Sequence, residues 1–190
     1  MFSADANIFF EEPHSGRHSP GQFGVLYLLR RDIFRCMGID PITRNPMNYM
    51  AWWPGTMAIL AGIDLLGKFF AGSDQRGEVG KRFCDYLKEY FQPISTGDED
   101  VIYQLRNALL HSFGLYSEDK GKIYKFVLVQ NQSQLIRQVP GDTYIVDIRE
   151  LHRRFEESVC RYKVQLENDK DDLQNKFTAM FPKYGAIRIE

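Results

Sequence analysis

Cysteine is scarce in this chain of 190 residues: Cys36, Cys84 and Cys160 are far apart, and no two form a C-x-x-C pair. A disulfide-stapled scaffold and a thiolate zinc ribbon are thereby excluded, and reduced thiols in a cytoplasmic protein are expected. Histidine is equally sparse, at four. His14 and His18 alone have a one-turn spacing, but Pro13, Gly16, Pro20 and Gly21 make residues 1–22 a non-helical, irregular segment. No metal and no cofactor are therefore expected. Gly72–Gly77 lacks the spacing of a phosphate loop and reads as a turn, and neither a dinucleotide fingerprint nor a G-x-S-x-G elbow occurs. The missing elbow leaves a dispersed Ser/His/Asp triad open. Neither sign of charge is in excess, with 24 basic against 25 acidic residues and a net charge of −1. A general electrostatic grip on nucleic acid is excluded, and any such binding must use a local basic patch. The N-terminus has no basic segment followed by an apolar run, so a signal peptide is not expected. The longest apolar stretch, Met57–Ala71, is interrupted by Asp64 and Lys68 and reads as too short for a membrane span. Repeats, low-complexity segments and a helix-turn-helix signature are absent.

What remains is apolar and aromatic enough, at 44% and 14%, for one domain over residues 1–190 with a real core. Helical spacing predicts a first helix over residues 23–37, with Leu26, Leu29 and Ile33 inward and Arg30, Arg31 and Arg35 elsewhere around it. That basic cluster reads as a solvated face or a phosphate-binding surface. A short helical turn is expected at residues 48–53. Pro54 suits the first turn of a longer helix over 54–70, apolar almost all round. Asp64 inside it needs a partner. Further helices are predicted over 79–91, 98–113, 148–167 and 168–181, with Thr96 and Glu99 as a capping box for helix 98–113 and Asp147 with Glu150 as the cap of helix 148–167. Residues 121–147 change to a β-rich period, and 182–190 read as a tail. On helix 148–167, His152 is taken as a surface residue among arginines.

Helix 98–113 holds the candidate site. At about 100° per residue, Ile102, Leu105, Ala108, Leu109 and Phe113 share one side, while Gln104, Asn107 and His111 lie opposite. Arg106 projects at the margin of the apolar side. A guanidinium there needs a carboxylate, a phosphate or a route to solvent, and Asp64 is the carboxylate to hand.

Arg106-Asn107-Ala108-Leu109-Leu110-His111 resembles the R-N-x-x-x-H form of the Rx4-6H motif of HEPN-domain ribonucleases. The resemblance implies a mainly α, HEPN-like helical bundle, here with a small antiparallel β insertion at 121–147. It further implies metal-independent cleavage of RNA by a homodimer, with Arg106, Asn107 and His111 catalytic and Asp64 supporting them. A toxin or defence role would add a regulatory, antitoxin-like protein partner. Some toxin members carry a tyrosine two residues after the motif histidine as a target for a nucleotidyltransferase. Phe113 stands there in this chain, and Tyr116 is out of register. The alternative is a noncatalytic bundle of the same kind that binds nucleotide, RNA or a protein. A DNA-binding regulator has no support in the charge or the helix pattern.

Overall fold

A computed structural model describes residues 3–15, 21–132, 134–168 and 172–189. The Ser3 hydroxyl accepts the Ala6 N–H at 3.2 Å and caps a short helix, α1 (Ala4–Phe9). After one 3₁₀ turn at Pro13–Ser15, strand β1 (Gly21–Gly24) leads into α2 (Val25–Cys36). Residues 1–22 are thus not irregular throughout. His18 lies outside the described residues, so the His14/His18 pair has no structural reading. Residues 48–51 form no helical turn, and α3 starts at once as Trp52–Ala71.

α3 is the axis of the molecule. It packs against α2, against α4 (Val79–Tyr90), and against α5 (Asp98–Ser112), α6 (Ile148–Asn168) and α7 (Asp172–Tyr184). Ile59, Leu60, Ile63, Leu66 and Phe69 are sealed from solvent. At 20 residues and a mean hydropathy of 1.2 in its most apolar window, α3 has the length and apolarity of a membrane span, so length does not set it apart as expected. Its apolar surface is covered by other helices instead. Two glycines permit that. A Cβ on Gly62 would meet the Phe155 ring at 2.7 Å, and one on Gly67 would meet the Arg82 carbonyl oxygen at 3.0 Å.

Between α5 and α6 stand four strands: β2 (Tyr116–Asp119), β3 (Lys122–Val129), β4 (Ile136–Val139) and β5 (Thr143–Asp147). Their order is β2-β3-β5-β4, and β3 pairs with β5 in parallel. A simple antiparallel insertion is therefore wrong. β5 buries Tyr144 and Val146 and takes an inner position with a neighbour on each side. β4, whose middle residues Arg137 and Gln138 are exposed, occupies the edge. A second sheet ties the segment that leads into α2 to the C-terminal end of the described chain: β1 pairs antiparallel with β6 (Ala186–Ile189), where a tail was expected. With 58% helix and 17% strand in two sheets, the fold is mixed α/β and not mainly α.

Individual faces also depart from the helical count. Arg30 is 3% exposed, because residues 26, 30 and 33 lie on one side of α2. Its guanidinium is gripped by Glu156 of α6 at 2.7 Å and by Glu12 at 3.2 Å. Burial opposes its charge, but the two carboxylates outweigh burial and raise its pKa. At the start of α5, Thr96 does not cap. Gly97 takes the left-handed cap position, and Glu99 reaches back to its N–H at 2.9 Å. At the start of α6, Asp147 accepts the Arg149 and Glu150 N–H groups at 2.9 Å each, as its position predicts.

Candidate functional site

Arg106 is placed by α5, and what it touches is set by reach. A guanidinium has five N–H donors and no acceptor, so each partner must present a lone pair. Nη2 donates to Asp64 Oδ2 of α3 at 2.6 Å, and Nη1 lies 3.2 Å from Asn107 Oδ1. Nη1 also lies 2.6 Å from His111 Nε2. Because the guanidinium can only donate, His111 Nε2 is the acceptor there, and the neutral ring carries its proton on Nδ1. The Arg106 Nε is buried and has no hydrogen-bond partner among the described residues. Asp64, Arg106, Asn107 and His111 thus form one hydrogen-bonded group.

The group is graded from inside to outside. The side chains of Arg106 and Asp64 are 11% and 17% exposed, whereas His111 faces solvent. A partly buried ion pair next to an exposed imidazole fixes a cation in position without closing it off from a ligand. Two neighbours on α5 differ from their expected sides. Gln104, assigned to the polar side, is buried, and its Oε1 accepts from Ser117 of β2 at 2.7 Å. Phe113, assigned to the apolar side, is 72% exposed.

Phe113 is exposed because α5 stops there. It takes a left-handed conformation with φ 48°, a place usually given to glycine, and its side chain turns off the helix surface. Gly114, the expected stop, follows it and donates its N–H to the Ala108 carbonyl at 3.1 Å. A phenylalanine and the half-exposed Tyr116 therefore stand on the surface close in sequence to His111.

No protein-family model, curated protein or solved structure matches this chain. The site is accordingly read from its own chemistry. Among the described residues no group of three or more His, Cys, Asp and Glu side chains could hold a metal ion.

His152 is not a surface residue. It is 8% exposed and stacks edge-on against Phe34, with ring centroids 4.9 Å apart. Burial lowers its pKa and favours the neutral ring. The signal was present in the spacing: residues 148, 152, 155 and 159 share one side of α6, and the other three are buried apolar residues.

Proposed function

We propose that the chain is a metal-independent endoribonuclease whose reacting groups are Arg106 and His111. The observation that supports it is the hydrogen-bonded group itself, in which one partly buried guanidinium holds an exposed imidazole and is held by Asp64. Arg106 would neutralise charge growing on the phosphoryl oxygens of the scissile phosphate. In the free protein Arg106 occupies the His111 Nε2 lone pair, so an incoming phosphate has to draw Nη1 away. Nε2 is then released to take the proton of the RNA 2′-hydroxyl as its oxygen attacks phosphorus. The P–O5′ bond breaks as the new P–O2′ bond forms. The products are a 2′,3′-cyclic phosphate and a 5′-hydroxyl, whose oxygen must receive a proton. Asn107 would hold the phosphate or His111 by hydrogen bonds.

One site offers one histidine, and a proton must be taken on one side of the phosphate and given on the other. A homodimer that brings two copies of the site together would supply both. The exposed Phe113 and Tyr116 beside the site support an interface there.

The test is cleavage of a mixed-sequence RNA in excess EDTA. Activity should persist, and Arg106→Ala and His111→Ala should each lower it by about 10²–10⁴-fold with folding retained. His14→Ala, at an exposed position in the 3₁₀ turn, is the control. Wild-type activity in His111→Ala would refute the proposal. A second reading, a structural network on a binding surface, draws on the occupied Nε2 lone pair; it predicts RNA or protein binding without any cleavage.

A further inference from the structure

A cleft of about 700 Å³ lies between the chain joining α2 to α3 and the first turns of α6. Its volume is in the range of small-molecule sites. None of Asp64, Arg106, Asn107 or His111 lines it. Its walls are apolar and pliable: Phe34, Met37, Met47 and Met50 contribute a ring and three thioethers. Within this lining His152 keeps Nε2 buried and without a hydrogen-bond partner among the described residues. Left unpaired, a nitrogen so placed is costly, and a ligand in the cleft reaches it only once a wall side chain turns aside, which the methionine thioethers permit.

The charges of the lining do not cancel. Glu156 is taken up by Arg30, and Glu157 by Arg153 and Arg161. Arg44 and Arg149 make no ion pair with any described residue, so they give the cleft two free positive charges.

Arg44 is also held in an unusual way. It adopts φ 63°, a left-handed conformation uncommon for a side chain of its size. The preceding turn imposes it: Asp40 Oδ1 accepts the Ile42 and Thr43 N–H groups at 2.9 and 2.7 Å, and the Arg44 N–H bonds the Asp40 carbonyl at 2.9 Å. The result sets the Arg44 guanidinium 4.0 Å from the centre of the Phe34 ring. Local strain of this kind is retained where it positions a group.

We propose that this cleft binds a small planar acid, an aromatic or heteroaromatic ring bearing a carboxylate or a phosphate. The ring packs among Phe34 and the methionines, a polar ring atom meets His152 Nε2, and the acid group meets Arg44 and Arg149. This site is independent of the ribonuclease reading.

Calorimetric titration of the full chain tests it with two pairs of probes. AMP and UMP carry the phosphate; nicotinate and indole-3-acetate carry the carboxylate. Histidine ¹⁵N resonances report on His152 Nε2 in the same samples. At least one probe should bind and shift that resonance, and the pair that binds identifies the acid group. Arg149→Ala, at an exposed position, should weaken binding about tenfold or more, as loss of a hydrogen bond to a charged group does. His152→Phe keeps a ring against Phe34 and should weaken binding to a similar degree. Absence of both heat and resonance shift for all four probes at about 1 mM, the weak end of specific affinity, would overturn the site. So would binding left unchanged in both variants.

Discussion

Arg106 and Phe113 show how single side chains on one helix are fixed by different constraints. The Asp64–Arg106 pair is mostly withdrawn from water, so each charge depends on the other. Asp64→Ala should destabilise by about 3 kcal/mol, at the lower end for a buried pair because some solvent access remains. Asp64→Asn should cost less, since the amide oxygen still accepts. Urea unfolding of both variants, together with a double-mutant cycle against Arg106, measures this; zero coupling would separate the two residues. Phe113 is under the opposite pressure. A left-handed conformation is costly for any residue with a Cβ, by about 1–2 kcal/mol, partly offset on substitution by the greater chain freedom of unfolded glycine. Phe113→Gly should therefore raise stability by about 0.5–1 kcal/mol in dilute protein, whereas Phe113→Ala should not. A Phe113→Gly variant less stable than Phe113→Ala would show that the ring packs on something that repays the strain.

At the scale of elements, the helices follow their periodicity closely and their ends less so. α4, α5 and α6 begin and end within a residue or so of the spans that apolar spacing predicts. The first turns of α6 carry an acid-sensitive contact. Glu150 is bonded by Arg153 and then Arg154, and its carboxyl is lowered from 4.5 to about 2. As pH falls, the unfolded chain takes up this proton near 4.5 while the folded one resists until about 2. The stabilisation is thus complete above that window and lost within it. Glu150→Gln should lower the urea midpoint at about pH 5, and the gap to wild type should narrow at about pH 3. An equal gap at both values would assign the effect to packing. The strands were legible only in part. β3, β4 and β5 are visible as β-rich runs bounded by turn residues, whereas β1 and β2 contain no β-branched residue and β6 is a four-residue run with no neighbouring strand in sequence to pair with.

Over the whole molecule, aromatic rings connect the ends of the chain to its middle. Phe9 of α1 meets Phe69 of α3 at 4.5 Å and Phe177 of α7 at 5.4 Å between centroids. With the β1–β6 pairing, these contacts hold both ends of the described chain against the central helix. The proposed dimer belongs to this scale too. An isologous interface around His111 would be lost on dilution, and cleavage should fall with it. Adding inactive His111→Ala subunits to wild type should depress activity by more than their fraction if both histidines serve each cut. A protein that remains monomeric in light scattering and still cleaves RNA would remove the composite site while leaving the nuclease proposal in place.

By itself the sequence determined the six longer helices, α2 to α7, though not α1, that α3 is a core helix, and that Asp64 and Arg106 each lacked a local partner. Those are properties of spacing and of charges in apolar surroundings, and neighbouring residues suffice to express them. Only the tertiary structure decided the strand order, the pairing of β1 with β6, the burial of Arg30 and His152, and the cleft beside them. Each of these depends on residues far apart in the chain. Glu156 lies 126 residues from Arg30, and β6 lies at the other end from β1. Periodicity reports which side of an element is apolar, but not what will cover it, and a buried charge or an inner strand is defined by its cover.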